Sequence, residues 1–401
     1  MYNYSENGSV TYPEGFKAAG IFCGLKKKRK DLALITSDVP CPAAGVFTQN
    51  KVVAAPVIIS RDIINSGEPV KAILINSGNA NACTGIGGHE DALYSQSHCA
   101  KKLGVSHSQI LISSTGIIGQ RLAMDKFISG ITSIVPQLEY NGGDNAAEAI
   151  MTTDTKKKSF GMDVQLSNGT VKIGSIAKGS GMIMPNMATM LGFVTTDAGI
   201  KQSLLQKMLK EAIGYSFNKI SVDGETSTND MVLMLANGVS KVTIEGGSND
   251  EKTFQEALNA LCIRMAKAIV SDGEGATKLV TVKVTGADTQ KDADLVGRAL
   301  VNSPLVKTAI HGEDANWGRI LSSAGMSGAN MNPAKTSIFI CSLPVLKPGF
   351  NIVIDEEKVE EILKEKEVEI HINLNGGKES STWWTCDFSE DYIKINSYYR
   401  T

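Results

Sequence analysis

KGSGMIMPNMATMLGFVTTD (Lys178–Asp197) is the stretch on which the reading of this chain turns. Four methionines, three glycines and one proline surround Ala188-Thr189, and the stretch holds no histidine. A threonine hydroxyl is a weak nucleophile unless a base beside it takes its proton. An N-terminal threonine carries such a base in its own α-amine, whose pKa of roughly 8 leaves much of it free to accept a proton at neutral pH. Thr189 is internal, so it gains that amine only if the Ala188–Thr189 bond is cut. Its hydroxyl can make the cut by attacking the preceding carbonyl, giving an ester that water hydrolyses. Pro185, Gly179 and Gly181 permit an unusual backbone path, and small Ala188 leaves room at the carbonyl. On chemistry alone the alternative stands beside it: a buried loop threonine satisfied by the backbone.

Outward from this stretch the chain reads as α+β. Ala72–Asn76 (AILIN) predicts a buried strand, followed by a long Asn-, Gly- and Ser-rich loop, SGNANACTGIGGHED. Apolar residues recur at helical spacing over Ile200–Ile213 and Phe254–Ile269, predicting two amphipathic helices whose Leu and Met stripes are core. Met231–Ala236 (MVLMLA) predicts a buried strand between them. From Lys278 onward strands dominate the expectation (LVTVKVTG, SIFIC, NIVID, EVEIHINL and DYIKIN), with one short helix near Lys358–Glu365. Neither βαβ alternation nor an internal repeat is sustained, which argues for mixed or antiparallel sheets covered by helices.

Composition narrows the classes. The chain has 401 residues, 42% hydrophobic and 20% charged, with a formal net charge of -2, so no global pull toward nucleic acid or a membrane surface is expected. The basic run Lys26–Lys30 reads as a solvated turn before the strand-like LALIT. Seven cysteines without a CxxC pair argue against a disulfide framework and a structural zinc site, and for a reducing, cytoplasmic compartment. The first residues lack the features of a signal peptide, and no apolar run approaches ~18 residues. None of the five histidines has metal-ligand spacing with another, so no metal is expected. A GxSxG elbow, a GxxxxGK[ST] loop and a dinucleotide fingerprint are all missing, and the SxxK at Ser216–Lys219 sits at a helix end.

The segment Lys178-Gly-Ser-Gly-Met-Ile-Met-Pro-Asn-Met-Ala-Thr189-Met-Leu resembles the self-cleavage segment of the ornithine acetyltransferases, or glutamate N-acetyltransferases, of arginine biosynthesis. The resemblance extends through Gly45-Val-Phe-Thr-Gln-Asn50, Asn76-Ser-Gly-Asn-Ala-Asn81, Ser114-Thr-Gly-Ile-Ile-Gly119, Met151-Thr-Thr-Asp-Thr155, Asp223-Gly-Glu-Thr-Ser-Thr-Asn-Asp230 and Gly312-Glu-Asp-Ala-Asn-Trp-Gly-Arg319, in the family's order and spacing. It implies a layered α/β/β/α-type core with a smaller α+β C-terminal unit. The implied division is an α chain of 1–188, a first part of the β chain at 189–277 that completes the active site, and a C-terminal domain at 278–401 whose tail reaches that site. An α2β2 heterotetramer is the implied assembly.

By the same resemblance Thr189 is the nucleophile of cleavage after Ala188 and of turnover. It takes the acetyl group from N-acetylornithine and passes it to glutamate. Thr115 and Gly116 hold the oxyanion, while Thr152, Lys178, Thr189, Glu274, Asn396 and Thr401 bind substrate. No cofactor is implied, although some members accept acetyl-CoA as a co-substrate. The chain departs from the family at Glu225, where Asp is usual, and in its tail, Asn396-Ser-Tyr-Tyr-Arg-Thr401, where Tyr398 and Arg400 alter the local charge. Two other classes compete. One is a self-cleaving N-terminal-nucleophile aminopeptidase or amidase with water as acceptor; the other is a non-enzymatic binding protein using Lys26–Lys30.

Overall fold

The computed structural model describes residues 1–5, 7–184 and 190–398; Ala188, Thr189, Arg400 and Thr401 lie outside the described residues. The chain forms two compact units. Of the described residues, one comprises 1–218 and 225–265, the other 219–224 and 266–398.

The first unit is built on two large sheets. Six strands run in the order β1 (Tyr2–Ser5), β7 (Lys158–Leu166), β8 (Gly169–Lys178), β9 (Leu191–Thr196), β12 (Met231–Ala236) and β4 (Ala43–Phe47). Four more run β2 (Phe16–Ile21), β3 (Leu32–Cys41), β5 (Val70–Asn79) and β6 (Ile110–Ile117). The β9–β12 and β5–β6 pairs are parallel and the other pairs in these sheets antiparallel. Two short strands, β10 (Gly199–Ile200) and β13 (Thr243–Ile244), pair separately.

Strand periodicity stacks the layers. Successive side chains point to opposite faces, so Ala33, Ile35, Ile73, Ile75 and Leu111 turn inward against Ile176, Phe193, Met231, Leu233 and Leu235 of the facing sheet. Their neighbours Leu32, Leu34, Leu74, Ile110 and Ile112 turn outward. There they meet Ala92 and Cys99 of helix α2 (Gly85–Leu103) and Phe127 and Ile131 of helix α3 (Met124–Ile134). Burying each large aliphatic side chain in these layers contributes about 1.5–3 kcal/mol. Helices α5 (Gln202–Tyr215) and α6 (Asn249–Ser271) attach to the six-stranded sheet. Gln206 of α5 bonds both the N–H and the C=O of Gly45, and Arg264 of α6 lies over the rings of Tyr4 and Phe160. The order is helix, sheet, sheet, helix, the layered α+β architecture expected.

In the second unit seven strands run β11 (Ile220–Ser221), β19 (Glu379–Cys386), β14 (Leu279–Ala287), β18 (Glu367–Asn373), β15 (Ser337–Ile340), β16 (Leu343–Lys347) and β17 (Asn351–Ile352). Val280, Val282, Val284, Ile370 and Ile372 build its core with Val296 and Leu300 of helix α7 (Gln290–Val301) and Val359 and Leu363 of helix α10 (Glu356–Leu363).

Four expectations need correction. The region after Lys278 carries far more helix than expected: α7, α8 (Pro304–His311), α9 (Trp317–Gly325) and a terminal α11 (Glu390–Tyr398) join α10. Their N-caps were the missed signal. Thr289, Ser303 and Asn316 each accept a backbone N–H from three residues on, and Pro304 follows its cap. DYIKIN lies in α11, not in a strand. Its alternating isoleucines mark no buried face, since Ile393 is 64% exposed, and Glu390 and Asp391 suit a helix N-terminus. The expected loop after Asn76 turns into α2 at Gly85. The basic run is no simple solvated turn, because the Lys26 and Lys30 ammonium groups are both bonded to the protein. Among the described residues no helix is long and apolar enough to cross a membrane.

Candidate active site

Thr115 and Gly116 sit at the end of β6, where β5 and β6 run side by side with Ser77 opposite Thr115 and Gly78 opposite Gly116. The register breaks at Asn79. Gly116 has φ +131°, and a Cβ there would stand 2.4 Å from the Gly78 carbonyl carbon and 2.5 Å from the Asn79 nitrogen. Only glycine fits, in conformation and in space. Gly78 is itself at φ +95°. The two strand ends therefore form a close backbone crossing that places the half-buried Thr115 hydroxyl at its edge.

Lys178, at the end of β8, brings its ammonium to 3.5 Å from the Thr115 hydroxyl oxygen. It is 93% buried, with a relative exposure of 7%. Asp154 anchors this corner. Its carboxylate accepts from the Lys158 ammonium at 2.6 Å, the Gly179 N–H at 2.7 Å and the Thr152 N–H at 2.9 Å. Burial opposes the Asp154 charge, but the Lys158 and Lys178 ammoniums and the Lys158 and Gly179 hydrogen bonds outweigh it, holding the carboxyl well below the usual range. Thr152 and Lys178, far apart in sequence, are thus tied to one carboxylate. The Lys26 ammonium donates to the carbonyls of Lys30 and Met151. Burial, with the Lys178 and Arg29 charges, draws its pKa down to about 8 against the pull of Asp31.

The segment Glu225–Asp230 braces both flanks of residues 185–189. On one side the Thr226 hydroxyl donates to the Met184 carbonyl at 2.9 Å. On the other, Asp230 accepts from the Met190 backbone N–H and from Ser227. Between them, the Asn229 amide donates to the carbonyls of Ala80 and Ser114, fastening this segment to the strand end that carries Thr115. The register continues into the sheet: the Met231 N–H donates to the Met190 carbonyl at 3.2 Å, and Met231 pairs with Leu191. Met182, in the approach to this segment, is left-handed at φ +56°, an uncommon conformation for a side-chain-bearing residue.

In the second unit Glu274 and Asn396 meet. The Asn396 amide donates to the Glu274 carboxylate at 2.8 Å and to the Tyr392 carbonyl at 3.1 Å. Gly275 makes this possible, with φ +72° and a phantom Cβ only 2.5 Å from the Tyr392 nitrogen. The Ser389 hydroxyl closes the turn on the Gly275 carbonyl at 2.6 Å. Nearby, Asp387 accepts from Thr277 and the Lys278 N–H and bonds His311 at 2.7 Å.

Of the residues singled out in the sequence, Thr115, Gly116, Thr152 and Lys178 come together in the first unit, and Glu274 with Asn396 in the second. Ala188, Thr189 and Thr401 are outside the described residues. Reading the sequence missed Asp154, Lys158, Asn229 and Asp230 as site-builders. Asp154 and Lys158 stand four residues apart, and Asp230 is an acid directly before the all-apolar MVLMLA; both were available signals.

A family model described as the ArgJ family matches residues 17–401. The chain is 48% identical over 398 residues to the arginine biosynthesis bifunctional protein ArgJ of Symbiobacterium thermophilum, covering 98% of this chain and 99% of that protein. It is 46% identical to the protein of the same description from Chlorobaculum tepidum, over 98% and 97% of the two chains. Among solved structures it is similar to the ornithine acetyltransferase of Mycobacterium tuberculosis complexed with ornithine. That match has 37% identity, covers 47% of this chain and 100% of that one, and has a TM-score of 0.44.

Proposed function

This chain belongs to the ArgJ family, and from that premise we propose that it transfers the acetyl group of N-acetylornithine to glutamate through an acetyl-threonine at Thr189. The observation that carries the reading is the built corner around Thr115, where a glycine that only glycine can replace and a buried lysine flank one hydroxyl. Acyl transfer passes through a tetrahedral oxyanion, and fixed donors aimed at it are the largest single source of rate in such sites. The Thr115 hydroxyl and Gly116 N–H are the proposed donors, and the Lys178 charge beside Thr115 favours the anion.

In this scheme cleavage after Ala188 frees the Thr189 amine, which takes the Thr189 hydroxyl proton as the oxygen attacks the acetyl carbonyl. Ornithine leaves with that proton, and the glutamate amine then attacks the ester and regenerates the hydroxyl. Glu274, held by Asn396, takes the ornithine ammonium, while Lys178, Thr152 and Thr401 complete substrate binding. No cofactor enters these steps. We propose an α2β2 assembly of cleaved chains and a reducing, cytoplasmic setting, the latter in keeping with seven free cysteines. As a second activity we propose acetylation of glutamate by acetyl-CoA; the relatives are described as bifunctional, which is compatible with it.

The test is intact mass and denaturing electrophoresis of wild type beside Thr189→Ala, with acetyl transfer assayed on both. Two fragments split after Ala188 and active transfer in the wild type, against one inert uncut chain in the variant, support the reading. An uncut, active wild type removes the amine from the mechanism. Substituting acetyl-CoA for N-acetylornithine tests the second activity, and native mass tests the assembly.

A further inference from the structure

The basic run Lys26–Lys30 has no part in the acyl-transfer scheme, yet the fold holds it in one place. Asp31 is fully buried, and its carboxylate accepts the backbone N–H groups of Cys23 at 2.6 Å, Gly24 at 3.1 Å and Lys26 at 2.8 Å. Three charge-assisted bonds to one carboxylate make this a fixed turn and not a loose loop. The turn lies against the corner that carries Thr115. A Cβ on Gly78 would stand 2.8 Å from the Lys26 Cγ, and Gly78 is the residue opposite Gly116. The Lys26 ammonium donates to the Met151 carbonyl at 2.6 Å, directly before Thr152.

A second basic run, Lys156-Lys157-Lys158, folds beside the first. The Arg29 guanidinium donates to the Asp154 carbonyl at 3.4 Å and so ties the two turns together. The acids of this surface are already matched: Glu148 with Lys30 at 2.8 Å, Asp144 with Lys157 at 2.7 Å and Asp154 with Lys158 at 2.6 Å. Lys27, Lys28 and Arg29 are exposed, and no ion pair among the described residues uses them. A chain with a formal net charge of -2 thus concentrates positive charge beside its candidate site. Three cations on a rigid turn, with the local acids neutralised, suit an anion that carries several charges, such as a chain of phosphates.

We propose that Lys27, Lys28 and Arg29 form a phosphate-binding site for the nucleotide end of coenzyme A. The inference rests on the second activity proposed above, in which acetyl-CoA is the donor. The acetyl group of that donor sits at the far end of a flexible pantetheine arm. Its phosphates therefore bind away from the reacting carbon, on the basic turn, while the thioester enters the Thr115 corner. Lys26 packs on that corner, and Arg29 stands three positions further, about 10 Å at full extension. The arm spans such a gap. N-acetylornithine carries no phosphate and has no use for this site. The charges raise affinity and association rate for the nucleotide and take no part in acyl transfer.

A triple variant, Lys27→Gln with Lys28→Gln and Arg29→Gln, removes the exposed charges and spares the turn, because Asp31 holds backbone groups. Calorimetry measures binding of CoA, and of pantetheine, which lacks the nucleotide and its phosphates, to wild type and variant at low and at physiological salt. Steady-state transfer from acetyl-CoA and from N-acetylornithine is assayed beside it. The expected wild type binds CoA roughly tenfold or more tightly than pantetheine, and the preference shrinks as salt rises. In the triple variant the preference is lost and KM for acetyl-CoA rises about tenfold, with kcat and the N-acetylornithine kinetics unchanged. Equal CoA affinity and equal KM for acetyl-CoA in both chains overturn the site and leave the second activity standing. A wild type that binds CoA through these residues yet transfers nothing from acetyl-CoA overturns the second activity and leaves the phosphate site. A wild type that neither binds CoA nor uses acetyl-CoA overturns both. A single-stranded oligonucleotide that binds more tightly than CoA and depends on the same three residues overturns the assignment in favour of nucleic acid.

Discussion

The Lys178 ammonium lies 3.5 Å from the Thr115 hydroxyl oxygen, with Asp154 bonded to the next backbone N–H, that of Gly179. A cation is thereby held beside a neutral donor by a carboxylate that cannot easily give up its charge. This pairing suits a site where negative charge appears only during reaction, since the positive charge is in place beforehand and needs no reorganisation.

Thr115→Val keeps the shape of the side chain and removes the donor. Steady-state acetyl transfer should fall by about 10²–10³ in kcat, with KM changed far less, because the lost interaction belongs to the oxyanion and not to bound substrate. An unchanged kcat would take Thr115 out of the oxyanion site.

Gly116→Ala should fail for backbone reasons. The new Cβ meets the Gly78 carbonyl carbon at 2.4 Å in a conformation at φ +131°, and forcing a side chain there costs of order 1–3 kcal/mol before any clash is relieved. Both the melting temperature and transfer activity should drop. A variant as stable and active as wild type would show that the β5–β6 crossing is looser than described.

Lys158→Met leaves Asp154 buried without its closest cation. Breaking a buried pair in this way costs about 3–5 kcal/mol, so thermal melting at pH 7 should fall clearly. The pH dependence has a definite sign. The folded Asp154 carboxyl lies below the unfolded value of about 3.9. Its contribution is therefore complete above about pH 4 and lost as pH falls through the folded value. The gap between wild type and Lys158→Met should narrow on acidification. A gap that widens below pH 4 would contradict the ion-pair account.

Glu274→Gln should spare precursor cleavage and impair substrate use. Losing a charge-assisted contact to an ammonium costs about 1.5–3 kcal/mol, which appears as a roughly ten- to hundredfold rise in KM for N-acetylornithine. Asn396→Ala, which frees the Glu274 carboxylate from its 2.8 Å partner, should show a smaller rise of the same kind. Steady-state titration of the donor checks both. Equal KM values for wild type and Glu274→Gln would remove Glu274 from the site.

Much of the architecture could be read along the chain. MVLMLA became β12 with its full expected length, and the Leu and Met stripes around Leu205, Met208, Leu258 and Met265 are buried helix faces. These elements are local: periodicity records which face is apolar, and that face must be covered. DYIKIN misled for the converse reason, since alternation without burial carries no information about strands. The short helices α7 to α9 are marked in the sequence by their capping residues, Thr289, Ser303 and Asn316, and not by a long apolar stripe.

By itself the sequence determined the chemistry on offer: a threonine after an alanine in a histidine-free stretch, a glycine after Thr115, and a set of motifs in one family's order. Tertiary structure alone decided which of these residues lie together. The contact of Lys178 with Thr115 spans 63 positions, and that of Asn396 with Glu274 spans 122. No local pattern encodes such contacts, because they arise only when sheets and helices close over their cores. The burial of Asp230 is of the same kind. Its acidity is set by the removal of water around it, and that depends on every layer packed above and below the strand it precedes.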